Sequence, residues 1–159
     1  MTEHKGILRD VLQKGSECCL VQMRWPGGAA VCPRCDCERV WRLAHRPGWW
    51  QCKGCHRNFT ITTSTIFPSS KLSAEKLTAA AKEIFDANTE VPIRDLARRV
   101  GLSKQTAWRV RMIFSVGAAT ISEDVLEGGS AEEVLEALLR LPTNKVREVR
   151  AALKEAGIG

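Results

Sequence analysis

Four cysteines stand in two tight pairs, Cys32 and Cys35 around Pro33-Arg34, and Cys52 and Cys55 around Lys53-Gly54, with sixteen residues between the pairs. A C-x2-C turn lets two thiolates converge on one metal ion, and a second such turn completes a tetrahedral set. The expected cofactor is therefore one structural Zn2+ held by Cys32, Cys35, Cys52 and Cys55. Gly54 permits a tight backbone in the second turn. Arg34, Arg39, Lys53 and Arg57 place positive charge around a centre whose four thiolates and Zn2+ leave a net negative charge. The alternatives are a pair of disulfides or a thioredoxin-like redox motif. Disulfides need an oxidising compartment, yet Met1 to Arg9 is polar and charged and lacks the apolar core of a signal peptide. A redox motif does not explain two copies.

Three further cysteines need a reading. Cys18 and Cys19 stand in the apolar run Cys18-Cys19-Leu20-Val21 and are expected to be small core hydrophobes. Cys37 could replace Cys35 as a ligand, at the cost of the favoured spacing. His56 directly follows Cys55 and is expected beside the centre or on the surface; His4 and His45 have no partner pattern.

The elements that must position the thiolates read as short strands. Val40-Trp41-Arg42-Leu43 alternates apolar and polar, His45 to Gly48 is a turn, and Trp49-Trp50-Gln51 leads back to the second cysteine pair. Asn58 to Thr63 is rich in β-branched residues and predicts another strand. Two or three strands between two cysteine turns make a zinc ribbon, and residues 1–67 are expected to form this first unit. Trp41, Trp49 and Trp50 are expected to pack over the small sheet, with Trp49 or Trp50 as candidates for stacking on bases.

A second constellation follows. Ser73 is a good N-cap, and Leu77, Ala80, Ala81, Ile84 and Phe85 share one face of a helix predicted over Ala74 to Ala87, ended by Asn88 and Thr89. Pro92 to Phe114 then fits a helix-turn-helix. A first helix is expected over Ile93 to Arg99, with small Ala97 at the crossing and Gly101 at a turn that needs positive φ. Leu102 plugs the core, Ser103 caps the second helix, and Ala107, Val110 and Phe114 face inward. Ser103, Lys104, Gln105 and Arg109 are left on the exposed N-terminal part, where this motif enters the major groove. Lys104 and Arg109 can donate to guanine O6 and N7, and Gln105 can pair with adenine. Trp108 is either core or a contact to DNA. Arg94, Arg98, Arg99 and Arg111 are candidate phosphate contacts or solvated surface charges. The competing reading is a plain helical hairpin in a bundle core. Residues 72–117 are the expected DNA-binding unit.

Charge and length agree with this division. The chain has 159 residues, a net charge of +6 and a pI of about 9.1. Residues 1–117 carry 19 Lys and Arg against 10 Asp and Glu, whereas residues 118–159 carry 5 against 8. The basic part thus holds the motifs, as a polyanion binder requires. No apolar run approaches the roughly 20 residues of a membrane span. The acidic remainder, residues 121–159, predicts a helical hairpin. Ser130-Ala-Glu-Glu133 is a capping box opening a helix to about Leu141, Pro142 breaks it, Asn144 to Glu155 forms a second helix, and Gly157 ends it. Gly128-Gly129 reads as a hinge or linker. Such a hairpin can pack back on the rest, form a homodimer, or take a protein partner. The fold class is α+β: a small zinc ribbon, a mainly helical domain and a helical hairpin.

The chain resembles the amino-terminal part of bacterial insertion-sequence transposases, which open with a zinc ribbon and continue into a helix-turn-helix. The resemblance is carried by Met23-Arg-Trp-Pro-Gly-Gly, Cys32-Pro-Arg-Cys, Val40-Trp-Arg-Leu and Trp50-Gln-Cys-Lys-Gly-Cys. It continues through Phe59 to Phe67, Ser69-Ser-Lys-Leu and Leu96 to Trp108. It spans roughly residues 11–114. The resemblance implies recognition of transposon ends, with strand transfer left to a following RNase-H-like domain whose acidic triad binds two metal ions. Only 45 residues follow Phe114, and two-metal phosphoryl transfer needs convergent carboxylates. Glu123-Asp124 resembles the first acidic motif, with no room for the others. The expectation is therefore a non-enzyme: a cytoplasmic, nucleoid-associated protein that binds double-stranded DNA and regulates transcription. Two alternatives stay open, a non-catalytic transposition accessory at transposon ends and a protein adaptor docking on a polymerase or transcription factor.

Overall fold

The computed structural model describes residues 18–25, 28–67, 72–86 and 90–158. The polar N-terminus, His4, and the helix end expected at Asn88 and Thr89 lie outside the described residues. The architecture is α+β: a three-stranded antiparallel sheet at the cysteines, then a helical body.

Residues 18–24 are helical and bury Leu20 and Val21. Cys18 and Cys19 are exposed, against the expectation of core positions. A helix has one buried stripe, and its larger apolar neighbours occupy it. The chain then forms β1 (Val40–Arg42), β2 (Trp50–Cys52) and β3 (Asn58–Phe59). Strand order is β1-β2-β3, with Trp41 opposite Gln51 and Gln51 opposite Asn58. Gly48 closes the β1–β2 connection at φ +82°. On the inner face Trp50 stacks on Phe59 at 5.9 Å between ring centroids, and Trp25 meets both rings edge-on.

The strand expected to run to Thr63 stops at Phe59. The threonine hydroxyls offer the backbone another solution. Thr63 Oγ1 accepts from the Thr60 N–H at 2.9 Å, and the Thr65 hydroxyl donates to the Thr62 carbonyl at 2.6 Å, folding the segment into turns. Arg24 locks that arrangement by donating to the carbonyls of Thr60, Ile61 and Thr63, while its guanidinium lies 4.8 Å from the Trp25 ring centroid. Burial lowers its pKa to about 10.

The helical body comprises α1 (Ala74–Phe85), α2 (Ile93–Val100), α3 (Lys104–Ala118), α4 (Glu123–Gly128), α5 (Ala131–Leu139) and α6 (Thr143–Glu155). Its caps are local and legible. Ser73 accepts from Lys76 N–H, Ser103 from Thr106 N–H, and Ser130 with Glu133 completes a reciprocal capping box. Helix α1 packs on α5, α2 on α3, and α3 on α6. Leu96, Phe114, Leu135, Leu138, Val149 and Leu153 are buried in a core continuous with Ile66 and Phe67 at the ribbon's exit. The apolar face of the α5–α6 hairpin is thus spent against α1 and α3.

Gly128 and Gly129 form a tight joint where a linker was expected. Gly128 is the last residue of α4, and the Gly129 N–H donates to the Val125 carbonyl at 3.0 Å. A Cβ on Gly129 would lie 2.4 Å from that carbonyl oxygen. Gly117, inside α3, lies at a close approach between α3, the ribbon's exit and α5. A Cβ there would lie 2.6 Å from Ile66 Cδ1 and 2.8 Å from Leu138 Cδ2.

Candidate metal centre and nucleic-acid interface

The two cysteine turns are near copies of each other. Asp36 N–H donates to the Cys32 carbonyl and His56 N–H to the Cys52 carbonyl, each at 3.0 Å. Cys32 N–H reaches the Cys37 carbonyl and Cys52 N–H the Arg57 carbonyl, again both at 3.0 Å. Asp36 and His56 occupy the same position after each pair, and both adopt φ +59°. His56 is therefore a turn residue, and its positive φ is where that turn closes. In the second turn the N–H groups of Gly54 and Cys55 point at the Cys52 sulfur, at 3.2 and 3.5 Å.

The four sulfurs of Cys32, Cys35, Cys52 and Cys55 lie within 4.8 Å of one another. Cys32 and Cys55 are 3.7 Å apart, and Cys35 and Cys52 3.5 Å. A tetrahedral Zn2+ with Zn–S of about 2.3 Å needs sulfurs about 3.8 Å apart. A disulfide needs about 2.05 Å, and all seven cysteines are free. Acid–base chemistry agrees. The Cys55 backbone N–H is the main influence holding the Cys52 thiol below its ordinary value. Cys35 is drawn down by the Cys37 backbone N–H but pushed up by the Cys52 thiol and burial, to about 12 overall. Four sulfurs at this spacing cannot all give up their protons without a cation among them. Cys37 stays outside the set; its Sγ faces the Arg39 carbonyl at 3.9 Å.

The comparisons with known proteins agree with this geometry. Residues 17–58 match the transposase zinc-ribbon domain. The ribbon therefore holds one structural zinc ion through Cys32, Cys35, Cys52 and Cys55. A protein of Halobacterium salinarum, named as an uncharacterized protein in the transposable element ISH50, is 33% identical over 95 residues. That stretch is 57% of this chain and 30% of the relative, so the match spans under a third of the relative's length. No solved structure matches.

The second candidate site lies on α2 and α3. Gly101 ends α2 at φ +79°, and the N–H groups of Gly101 and Leu102 both reach the Ala97 carbonyl, at 2.9 and 2.8 Å. Lys76 Nζ donates to the Gly101 carbonyl at 3.0 Å, holding the turn against α1. Helix α3 buries Ala107, Val110 and Phe114. Its opposite face leaves Lys104, Gln105 and Arg109 exposed, and Trp108 is 42% exposed, which places that ring at the surface. The Ser103 hydroxyl is engaged within its cap, donating to Thr106 Oγ1 at 2.9 Å.

The arginines divide. Arg94 is exposed on α2, and Arg98 is exposed with Asp95 at 3.6 Å. Arg99 is tied to Glu83 of α1 at 2.9 Å, a bond that raises its pKa. Arg111 is only 17% exposed and faces Glu90 at 3.7 Å. Among the described residues Arg94, Lys104 and Arg109 form no ion pair. The sequence reading missed Arg24 and Arg140, whose guanidinium groups tie distant stretches of backbone together. Their carbonyl partners lie 36 to 39 and 117 to 118 residues away, beyond any local pattern.

Proposed function

We propose that this chain binds double-stranded DNA sequence-specifically, through a zinc-braced helix-turn-helix, and regulates transcription. The observation that carries the reading is the two-sided character of α3. Ala107, Val110 and Phe114 anchor one face, while Lys104, Gln105, Trp108 and Arg109 stand exposed on the other, next to a rigid capped turn. A recognition helix needs this arrangement, with its N-terminal half free to enter the major groove. In this reading Arg109 and Lys104 donate to guanine and Gln105 pairs with adenine. Arg94 and Arg98 hold phosphates and fix the register. Arg99 and Arg111 support the fold. The chain itself is assigned no catalysis.

The test is a selection from random duplex DNA with zinc-loaded protein at two salt concentrations. An enriched motif that persists at the higher salt is expected. Arg109→Ala should then cost about 1–3 kcal/mol on that motif and relax the preference at one position. Uniform weakening on every sequence would reduce Arg109 to phosphate attraction.

A second reading follows from the relative in a transposable element: the chain binds transposon ends. The selected motif separates the two. Identity with an inverted repeat bounding the gene favours transposon ends, and a motif found at promoters favours regulation.

A further inference from the structure

The outer face of the ribbon sheet is unlike the inner one. Trp41, Gln51 and Asn58 are directly opposed on β1, β2 and β3, so their side chains form one row across it. Trp41 is 38% exposed, and Asn58 is also exposed. With strands about 4.8 Å apart, the row is roughly 10 Å long. At one end Lys53 Nζ lies 5.5 Å from the Trp41 ring centroid. At the other end, Asn58 helps line a cleft shared with Arg34, Arg57 and Ser64. Arg34, Arg39, Lys53 and Arg57 are exposed and form no ion pair among the described residues. Between residues 28 and 67 six Lys and Arg face two acids, Asp36 and Glu38.

An aromatic ring, a row of amides and unpaired cations at both ends are what an unpaired nucleotide strand needs. Bases stack on an exposed indole whatever their sequence, amides reach base edges, and cations follow the backbone. We propose that this face is a second nucleic-acid site, specific for unpaired strands. A base stacks on Trp41, Gln51 and Asn58 meet the next nucleotide, and a phosphate sits in the cleft between Arg34 and Arg57. The site shares no residue with α3. It takes from the proposed function only the expectation that the partner is a nucleic acid.

The experiment uses the full zinc-loaded chain and a mixed-sequence 12-nucleotide DNA, single-stranded or as its duplex, read by anisotropy and tryptophan quenching. The background is Lys104→Glu with Arg109→Glu, which disables α3. In that background the single strand is expected to bind at least tenfold more tightly than the duplex. Trp41→Ala should weaken single-strand binding about tenfold or more, while Trp41→Phe restores most of it, as loss of one stacked base implies. Arg34→Ala with Arg57→Ala should flatten the salt dependence. Zinc content and the circular dichroism spectrum confirm that each variant is folded. Equal affinity for both DNA forms, or Trp41→Ala indistinguishable from its parent, overturns the proposal. The unaltered chain separates the two readings. Motif selection that survives Trp41→Ala, without single-strand binding, leaves α3 standing and removes the ribbon site. Single-strand binding without a selected duplex motif does the reverse.

Discussion

The ribbon and the helical body solve the same problem by different means. Between residues 28 and 67 the sheet's strands are two or three residues long. From residue 28 to the end of β3 the buried side chains are Ala30, Cys32, Trp50, Cys52 and Phe59; Ile61, Ile66 and Phe67 follow only at the ribbon's exit. So little apolar burial cannot offset the entropy of ordering such a segment, and the metal supplies the remainder. The helices bury leucines, valines and Phe114 in one continuous core and need no such clamp. A metal-held region can therefore keep its surface polar and charged, which is where the ribbon carries Trp41 and its cations. A burial-held region must spend most of its apolar residues inside, and α3 shows polar groups to solvent only on its outer face.

The largest effect should come from the metal. Zinc chelation or Cys32→Ser should unfold the ribbon, because structural zinc sites contribute on the order of 10 kcal/mol to folding. Near-UV dichroism of Trp25 and Trp50 should collapse while the helical far-UV signal largely persists. An unchanged tryptophan spectrum after chelation would break the comparison. Phe114→Ala tests the other side. Phe114 is fully buried against Phe67 and Phe85, with ring centroids at 5.2 and 5.4 Å. Its truncation should cost about 3–5 kcal/mol in urea unfolding of the helices, with zinc content unchanged. Gly117→Ala bears on the seam. The added methyl meets the ends of Ile66 and Leu138, so a loss of about 1–3 kcal/mol is expected. It should lower the thermal midpoint of ribbon and helices together, and separate transitions would show that the seam transmits little. Ser130→Ala should cost about 1 kcal/mol by removing one half of a capping box, without touching the ribbon.

The features legible in the sequence are those set by nearest neighbours. The ligand spacing, the caps at Ser73, Ser103 and Ser130, and the positive-φ turn at Gly101 each depend on a handful of consecutive residues. What was misread depended on competition or distance. Asn58 to Thr63 has strand composition, yet its hydroxyls and Arg24 bend the chain at Thr60. Cys18 and Cys19 lose the buried stripe to Leu20 and Val21, which periodicity cannot decide over four residues. Gly128-Gly129 has linker composition, but the lack of side chains there allows a close approach at the end of a short helix. For the candidate interface, sequence placed Lys104, Gln105 and Arg109 on the outer face of α3. It could not foresee that Glu83 and Glu90 would engage Arg99 and Arg111.

The last helices reach back to the beginning of the described chain. Arg140, just past α5, donates to the carbonyls of Met23 and Gln22, and Arg150 of α6 donates to the Thr65 carbonyl at 2.8 Å. During synthesis the ribbon emerges first and can take up its metal while α5 and α6 are still unmade. Its flanks then wait for guanidinium groups supplied more than eighty residues later. A nascent chain stalled before Arg140 would carry a metallated ribbon and helices α1 to α5 without these ties, and Arg150 of α6 would complete the joint.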